Sequence, residues 1–521
     1  MLLPAETPQT VLYGLGIIAL LAIGRFFIRL YQVRSSIRDV TNKYGVPILP
    51  HSFLFGHLPI VIKVMAAYPS DIYGHYLPLL IEKEYPDICK SRGVMYIDSW
   101  PLANPMLAVY DPGLMNQFTT ENSRPKHELV RDGFYILGQG LDIFVSEGQQ
   151  WKEWRKIFNP GFSLQNLMSF VPAIVDEIEV FRGWLKDVAE SGNVVELEEQ
   201  TERLTTDVIG LLALNTRLHS QTTSSTFYNA MKKQAGWFPY DNQPSALFTR
   251  TLNPFRPLAV WMNNWTMRSC LMPHIRKALA QEKEESLKTL LNLAIQSKER
   301  GSSDGPPTSQ FIDIVVSQLK TFMFGGHETT AATLCLLYYL VYTNTAALDA
   351  LRREHDEVLG SDPAMATELI KKSPALLNRL PYTTAVIRET VRLFPPVGTV
   401  RAGSPDFFLT DPTTGDRYPT NGMMVFGCSA VVHRKEAFWP EPHKFMPERW
   451  LVPEGHALHP PRSAFRAFEH GPRNCIGQEL AQLELRAILA MTVRDFDIQP
   501  QFPADAFHPG RLRRDLGTTC P

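Results

Sequence analysis

The sequence has few cysteines and almost no excess of charge of either sign. Its 521 residues include six cysteines, and no two of them form a C-x-x-C pair. Their spacing predicts neither a zinc site nor a disulfide framework, so a reducing compartment is expected. The formal net charge is −1, which gives no basis for expecting nucleic acid as a partner. Internal repeats and low-complexity tracts are also lacking, so the composition is that of an ordinary globular protein.

One long apolar run lies near the N-terminus. Residues 11–24 carry no charge, and Arg25 and Arg29 follow within an apolar continuation. About 20 residues can cross a bilayer if both arginines extend to the interface. Positive charges dominate the downstream side, so the positive-inside rule leaves the rest of the chain in the cytosol. A cleaved signal peptide is the alternative, but a positive n-region and an evident cleavage site are lacking. We therefore predict a membrane anchor over 1–30, a linker over 31–60 and a large domain over 61–521.

Most of the large domain shows helical periodicity. Apolar residues recur at helical spacing over 165–190, 199–215, 309–343 and 378–394. Apolar patches near 94–96 and 106–110 predict a short hairpin. Length alone indicates about three domains. The motifs below span most of the chain, however, so we predict one mainly α domain with small β-sheets.

Cys475 lies in the segment FEHGPRNCIG, residues 468–477. A thiolate that ligates haem iron needs such surroundings, because glycines such as Gly477 let the backbone turn tightly and approach a porphyrin. Backbone N–H groups can then donate to the sulfur and tune its charge. Arg473 offers a fork for a haem propionate, and the ring of Phe468 can shield the sulfur from water. The pattern indicates Cys475 as an iron ligand, whereas a lone cysteine without it is more often structural.

The segment reads F-x-x-G-x-R-x-C-x-G and resembles the haem-binding signature of the cytochrome P-450 family, the haem-thiolate monooxygenases. The resemblance implies heme b with a thiolate axial ligand, and insertion of one oxygen atom from O2 into a lipophilic small molecule. It also implies electrons from NADPH through a separate membrane-bound reductase, since no convincing flavin or nicotinamide site is evident. For an anchored member it implies the endoplasmic reticulum membrane, with lipid as a further partner and the catalytic domain in the cytosol.

Two adjacent glycines, Gly325 and Gly326, lie in the middle of the predicted helix over 309–343. Each costs about 1 kcal/mol relative to alanine, and removing side chains lets a flat cofactor and a small ligand approach the backbone. Glu328 and Thr329 follow, and an alcohol with a carboxylate behind it can relay protons. The segment resembles the family's A/G-G-x-D/E-T-T pattern, which assigns Thr329 as the oxygen-side alcohol and Glu328 as the acid.

A second pair, Glu389 and Arg392, shares one helix face at i, i+3. Its neighbours are apolar, so we expect the pair to be buried and to need a further partner. Arg449 can supply one. This resembles the family's E-x-x-R motif and the later arginine of a three-residue network, whose role is structural: it holds the loop that presents Cys475.

Several residues are expected to bind the haem propionates. Trp151 and Arg155 lie on one helix face at i, i+4 and resemble the family's W-x-x-x-R helix. Arg401 is a further candidate by analogy. Together with Arg473, the arginines would neutralise the two propionate charges.

The sequence defines the substrate only by class. Pocket walls in this family come from variable loops, here about 110–135, 225–260 and 500–515. Their aromatic residues suit a lipophilic substrate, although core packing explains them equally well: Phe227, Trp237, Phe238 and Phe248. The sequences around Cys475 and of the GGHETT segment are most similar to those of fungal members that tailor polyketides, terpenoids or alkaloids.

Two other functions remain open from the sequence. A haem-thiolate isomerase or dehydratase would not use external O2, and the intact pair of Glu328 and Thr329 argues against it because such enzymes need no proton relay. The large helical domain and the two glycines within its long helix indicate a substrate cavity. A haem sensor or electron carrier would not need such a cavity.

Overall fold

The computed structural model describes residues 8–68, 72, 74–89, 93–238, 252–280, 288–300 and 308–501. The predicted fold class is confirmed, because these residues form a mainly helical domain with small sheets. Expectations that concern residues 1–7, 239–251 (with Phe248) and 502–521 lie outside the described residues.

The α-helices are unequal in length, and the longest follow the predicted periodicity. They are α1 (Pro8–Tyr44), α2 (Leu58–Ala66), α3 (Leu77–Glu84), α4 (Pro86–Cys89), α5 (Pro112–Asn116), α6 (Glu128–Gly138), α7 (Gly148–Phe158), α8 (Leu164–Ser191), α9 (Leu197–Leu214), α10 (Thr226–Ala235), α11 (Arg256–Ala280), α12 (Leu290–Arg300), α13 (Ser309–Thr343), α14 (Thr345–Leu359), α15 (Ala366–Lys372), α16 (Pro381–Leu393), α17 (Ser429–Val432) and α18 (Gln478–Thr492). Short 3-10 helices cover Gly74–Tyr76, Asn159–Phe162, Pro363–Met365, Pro374–Arg379, Pro447–Trp450 and Arg462–Ala464, and a π-helical turn covers Gln117–Glu121.

Local chemistry sets several helix ends. Thr308 begins α13, since its hydroxyl accepts a hydrogen bond from the Phe311 N–H at 3.2 Å. Ser225 caps α10 in the same way. At the C-terminal end of α8, Gly192 adopts a φ of 65°, the left-handed conformation that ends many helices.

The predicted hairpin is confirmed and belongs to a larger sheet. Strands β1 (Val94–Ile97) and β2 (Met106–Val109) pair antiparallel, and β2 pairs parallel with β6 (Met424–Gly427). Strand β3 (Thr399–Ala402) pairs antiparallel with β6 and so places Arg401 opposite Val425. A second sheet contains β4 (Phe408–Thr410) and β5 (Arg417–Pro419).

The buried apolar residues form one large core among the helices and a second around the four-stranded sheet. In the helical core α9 packs along α13 in the opposite direction. Thr205 donates from Oγ1 to the carbonyl of His327 at 2.8 Å, and Thr201 Oγ1 lies 3.4 Å from Cys335 Sγ. This pairing fixes the middle of α13, where the predicted chemistry lies.

The N-terminal helix α1 extends well beyond the predicted anchor. Within the described chain it is the one helix whose length and apolar composition would by themselves allow it to cross a membrane. Residues 12–29 are exposed, whereas Leu30, Val33 and Ile37 are buried. Residues 31–60, expected as a linker, therefore continue α1 to Tyr44 and then pack against the sheet, because the apolar side of the helix finds a core there.

A buried ion pair fastens α1 to the domain. The Arg34 guanidinium contacts the Asp98 carboxylate at 2.5 Å, and both side chains are fully buried. Arg34 also donates to the carbonyl of Trp100 at 2.8 Å, and His51 Nε2 lies 3.0 Å from the second Asp98 oxygen. Burial raises the pKa of Asp98, but the hydrogen bonds from His51 and Arg34 outweigh it and leave the pKa below its usual value.

We expect Arg34→Met to destabilise the protein by about 3–5 kcal/mol, because it leaves the Asp98 carboxylate buried without its cation. The measurement is urea unfolding of the full chain in detergent. The control, Lys43→Met, removes an exposed i, i+4 pair with Asp39 and should leave the stability nearly unchanged, because solvent screens such a pair. Equal effects would contradict a locking role. Since the pKa of Asp98 is lowered, its contribution is present above about pH 4 and is lost as the pH falls through the folded-state value.

Candidate active site

The loop before α18 presents Cys475 through its backbone. The Cys475 N–H donates to the Phe468 carbonyl at 2.9 Å, which closes the loop. Gly471 has a φ of 81°, and a Cβ there would lie 2.3 Å from the Thr119 carbonyl oxygen. Only glycine fits such a close approach. Gly477 begins α18, so Cys475 lies just before the N-terminus of a helix.

The Cys475 side chain is exposed, so its thiol borders open space although protein surrounds the loop. Burial of the surrounding site raises the pKa of the thiol, while a hydrogen bond from the Gly477 N–H and the positive charge of Arg155 oppose that rise. A backbone N–H directed at sulfur is the arrangement expected for a tuned metal ligand.

The two glycines of α13 have different surroundings. A Cβ on Gly325 would meet no atom within 4 Å, whereas a Cβ on Gly326 would lie 2.8 Å from Ile209 on α9. Gly325 therefore borders open space, as expected for a cofactor site. Gly326 corrects the expectation that both glycines do so, because consecutive helical residues point about 100° apart and Gly326 faces α9.

Thr329 and Glu328 lie one turn after Gly325. The Thr329 hydroxyl is half-buried and donates to the Gly325 carbonyl at 3.0 Å. Glu328 is exposed. Partial burial raises the pKa of Glu328, and the negative charges of Glu202 and Glu198 on α9 raise it further. A carboxyl whose pKa is raised in this way is a suitable proton carrier beside an alcohol.

Two phenylalanines connect the cysteine loop with α13. Gly477 has no side chain, and a Cβ added there would lie 3.9 Å from Cys475 Sγ and 4.0 Å from the Phe162 ring. The ring of Phe162 is 5.5 Å from that of Phe322, centroid to centroid. Phe322 precedes Gly325 by one turn of α13. The contact between these two rings thus links the region of the cysteine loop to α13.

The predicted propionate-binding arginines converge from distant parts of the chain. Arg473 donates to the Ser146 carbonyl at 2.9 Å, pairs with the Glu147 carboxylate and lies 4.4 Å from the centroid of the Trp151 ring. Burial lowers the pKa of Arg473 to about 10 despite the nearby Glu147. Arg401 is only 2% exposed, and its Nε is buried without a hydrogen-bond partner.

These cations suit a flat cofactor that carries two carboxylates. Arg401 Nε is an orphaned buried donor, and the carboxylates whose negative charges raise the pKa of Arg401 against the effect of burial are Glu469 and Glu147. Haem propionates would supply further negative charge and acceptors to this group of cations. The donor set therefore fits heme b, with Cys475 as the thiolate ligand.

The comparison with known families agrees with this geometry. The family model described as Cytochrome P450 matches residues 93–509. The chain belongs to the cytochrome P450 family.

Three relatives of this P450 carry the word monooxygenase in their names. Cytochrome P450 monooxygenase polC from Polytolypa hystricis is 33% identical over 510 residues, 97% of this chain and 90% of the relative. Cytochrome P450 monooxygenase acrF from Aspergillus aculeatus is 32% identical over 464 residues, 85% of this chain and 90% of the relative. Cytochrome P450 monooxygenase ptmG from Penicillium ochrochloron is 26% identical over 493 residues, 92% of this chain and 86% of the relative. The predicted enzyme class, a haem-dependent monooxygenase, is confirmed, and nothing here favours an isomerase or dehydratase.

One cation of this P450 was missed from the sequence. Lys126 Nζ lies 2.9 Å from the centroid of the Phe144 ring. Burial lowers the pKa of Lys126 well below its usual value, and the nearby charges of Arg401 and Arg473 lower it further. The lysine belongs to no motif, so only the tertiary structure brings it close to Arg401 and Arg473.

Arg155 has a partner that the W-x-x-x-R pattern did not indicate. It donates to the Asn474 carbonyl at 2.9 Å and to the Asn474 side-chain oxygen at 2.8 Å. The guanidinium therefore braces the cysteine loop directly. Its contact with a propionate stays a prediction.

The structure brings the predicted network of Glu389, Arg392 and Arg449 together in full burial. Arg392 donates to both oxygens of Glu389, at 2.9 and 2.7 Å, and Arg449 donates to one at 3.1 Å. Two donors were not predicted: the Trp450 indole at 3.0 Å and the Met446 N–H at 3.0 Å. Arg392 also holds the carbonyls of His433, Pro442 and Lys444, so the network organises the segment before the cysteine loop.

The aromatic residues considered for the substrate pocket and described by the structure, Phe227, Trp237 and Phe238, all pack in or against the helical core. Phe227 is buried in the helical core, as the packing alternative predicted. Phe238 contacts Phe134 and Phe324 with centroids 5.0 and 5.1 Å apart. Phe324 directly precedes Gly325 but points about 100° away from it around α13, where it packs against the helical core.

Proposed function

We propose that this P450 inserts one oxygen atom from O2 into a lipophilic small molecule by hydroxylation, epoxidation or desaturation. The observation that carries the proposal is a Cys475 thiol that borders open space together with an open helix face at Gly325, the loop and the helix being linked through the contact of Phe162 with Phe322. The rings of Phe134, Phe238 and Phe324 cluster near this part of α13, which favours a lipophilic ligand.

The chain's residues have separable roles in this reaction. When bound, haem supplies the chemistry of O2 activation. Cys475 would hold its iron, and Arg401, Arg473 and Lys126 would hold its propionates. Gly325 leaves room for the small ligand, while Glu328 would donate a proton to Thr329. The Thr329 hydroxyl then passes that proton toward the oxygen side of the site.

Electrons would come from NADPH through a membrane-bound reductase. Lys152 and Lys156 are exposed on α7, the same helix whose Arg155 braces the cysteine loop. An acidic surface of the reductase would be attracted to these lysines, which brings the electron donor to the cysteine side of the haem.

We also propose that the protein is a single-pass protein of the endoplasmic reticulum membrane. Residues 1–30 would form the anchor and residues 61–521 the catalytic domain, which the positive charges after the anchor leave in the cytosol. The exposed apolar side chains of residues 12–28 support this proposal.

The substrate is proposed to come from fungal secondary metabolism, as a polyketide, terpenoid or alkaloid. Support comes from the three relatives in Polytolypa, Aspergillus and Penicillium. Metabolite profiling of a fungus that lacks this gene tests the proposal, because the substrate should accumulate and an oxygenated product should disappear.

The reaction itself is tested by reconstituting the protein with haem, a fungal reductase and lipid. We expect consumption of NADPH and O2 that depends on the P450 and rises in the presence of an extract from the deletion strain. Product formation without either NADPH or O2 would instead support an isomerase or dehydratase. A haem protein that exchanges electrons but consumes no O2 would be a carrier or sensor.

Thr329→Ala is expected to increase the share of consumed O2 that is released as hydrogen peroxide several-fold, because proton delivery beside the reacting oxygen is lost. The measurement compares peroxide, O2 and NADPH in the same reaction. Thr343→Ala is the control, since Thr343 ends the same helix and its hydroxyl donates only to backbone carbonyls of α13. Unchanged peroxide release in Thr329→Ala would exclude Thr329 from the relay.

A further inference from the structure

Glu202 of α9 connects the solvent surface with the interior next to α13. Its Oε2 accepts hydrogen bonds from the Tyr228 hydroxyl at 2.7 Å and from Lys232 Nζ at 2.9 Å, both on α10. The Glu202 side chain is 14% exposed, whereas that of Lys232 is 50% exposed. The carboxylate is therefore nearly enclosed, but one of its partners is in water.

The packing of α9 on α13 places Glu202 beside the stripe that begins at Glu328. Thr201 and Thr205, which flank Glu202 in sequence, contact Cys335 and the His327 carbonyl. One face of α13 carries Glu328, residue 332 and Cys335, because these positions are spaced i, i+4 and i+7. Position 332 is alanine and half-buried, so only a small side chain separates the two ends of this stripe.

The electrostatics agree with this placement. After burial, the charge of Glu202 is the next cause that raises the pKa of Glu328. Lys232 and Glu202 also act on the pKa of His327, which burial lowers. Glu202 shares one face of α9 with Thr205 and Ile209, at i, i+3 and i+7, and these two residues contact the His327 carbonyl and the Gly326 position of α13. Glu202 is therefore on the side of α9 that faces the start of this stripe.

We propose that Glu202 passes protons from solvent at Lys232 and Tyr228 to Glu328, and so resupplies the pair of Glu328 and Thr329 in each turnover. The inference rests on the proposed function. Oxygenation of a substrate C–H consumes one O2, two electrons and two protons, and it releases one water. NADPH and the reductase supply the electrons, while the protons come from water. At Glu202 only O–H bonds are exchanged, because a proton taken from water beside Lys232 moves on to Glu328.

The test compares two ways of driving the holoenzyme in lipid with Glu202→Gln. Glutamine keeps the size of the side chain and an oxygen acceptor, but it cannot carry a proton. In the first reaction NADPH and excess reductase drive O2 consumption in H2O and in D2O. In the second, hydrogen peroxide drives oxidation of a chromogenic dye, and this oxidant brings its own protons and electrons.

We expect the NADPH-driven rate of Glu202→Gln to fall about tenfold, with a larger solvent isotope effect than in the wild type. The peroxide-driven rate should change by less than about twofold, because that reaction needs no external protons. Glu202→Asp should restore most of the NADPH-driven rate. A purely structural role would lower both rates together, and that result, or no change in either, would overturn the proposal.

The matched control is Glu199→Gln on the same helix. Glu199 is half-exposed and pairs with Arg203 at 2.7 Å, so neither rate should change. If Glu202→Gln fails to bind haem, Lys232→Met removes the solvent end of the path and should lower the NADPH-driven rate alone. An unchanged rate in Lys232→Met would then overturn the proposal.

The outcomes also separate this inference from the proposed function. If the wild type consumes O2 and Thr329→Ala releases peroxide as expected, but Glu202→Gln behaves as the wild type, only the relay through Glu202 is wrong. If the wild type with haem and reductase consumes neither NADPH nor O2, the monooxygenase proposal fails and the relay fails with it.

Discussion

Replacing Cys475 by serine is expected to abolish the red-shifted Soret band of the reduced, CO-treated protein and to eliminate NADPH-driven turnover. A serine hydroxyl stays protonated where a thiol can be a thiolate, and it does not donate electron density to iron as sulfur does. The loop itself should persist, because its closing hydrogen bond joins the backbones of residues 475 and 468. The folded structure is therefore expected to survive the loss of the ligand.

The measurement is the difference spectrum of purified protein reconstituted with hemin, together with circular dichroism as a check on folding. Cys270→Ser is the matched control, since Cys270 is a free, half-buried cysteine on α11 and the variant should retain the band. A red-shifted band in Cys475→Ser would show that another residue ligates the iron. An imidazole signature in the wild type would overturn the haem-thiolate assignment altogether.

Glu389→Ala is expected to produce little or no folded, haem-loaded protein. The substitution leaves Arg392 and Arg449 buried without their carboxylate, and it also leaves the Trp450 indole N–H without its acceptor. Breaking one buried ion pair costs about 3–5 kcal/mol, and the total stability of a domain is about 5–15 kcal/mol. Losing an acceptor shared by two buried arginines therefore consumes much of the stability.

The yield of soluble protein and its haem content after hemin reconstitution measure this effect. Lys444→Ala is the control, because the Lys444 side chain is exposed and pairs only with exposed Glu441, while its carbonyl remains available to Arg392. It should cost less than about 1 kcal/mol. Normal haem loading in Glu389→Ala would mean that the three-residue network does not hold the cysteine loop.

Much of the site was predictable because its chemistry depends on short spacings. The cysteine loop needs glycine at a left-handed position, an N–H near sulfur and an arginine two residues before the ligand, and all of these lie within ten residues. Glu389 and Arg392 pair across one helical turn, and the Thr308 hydroxyl caps α13 by accepting from the Phe311 N–H three residues later. Local geometry determines such contacts, so the order of residues suffices to predict them.

The remainder depended on which surfaces face each other. Apolar periodicity shows that α1 has a buried side but not where the second core begins, so residues 31–60 were expected as a linker. Adjacent glycines look alike in a sequence, yet Ile209 occupies the space beside Gly326 and leaves Gly325 open.

By itself the sequence determined the haem-thiolate chemistry, the mainly helical fold and the apolar N-terminal helix, since each follows from neighbours along the chain. Only the tertiary structure placed Lys126 near Arg401 and Arg473, and Glu202 on the side of α9 that faces α13. Burial and charge at these positions come from residues far away in sequence, and no local pattern records which helix packs against which.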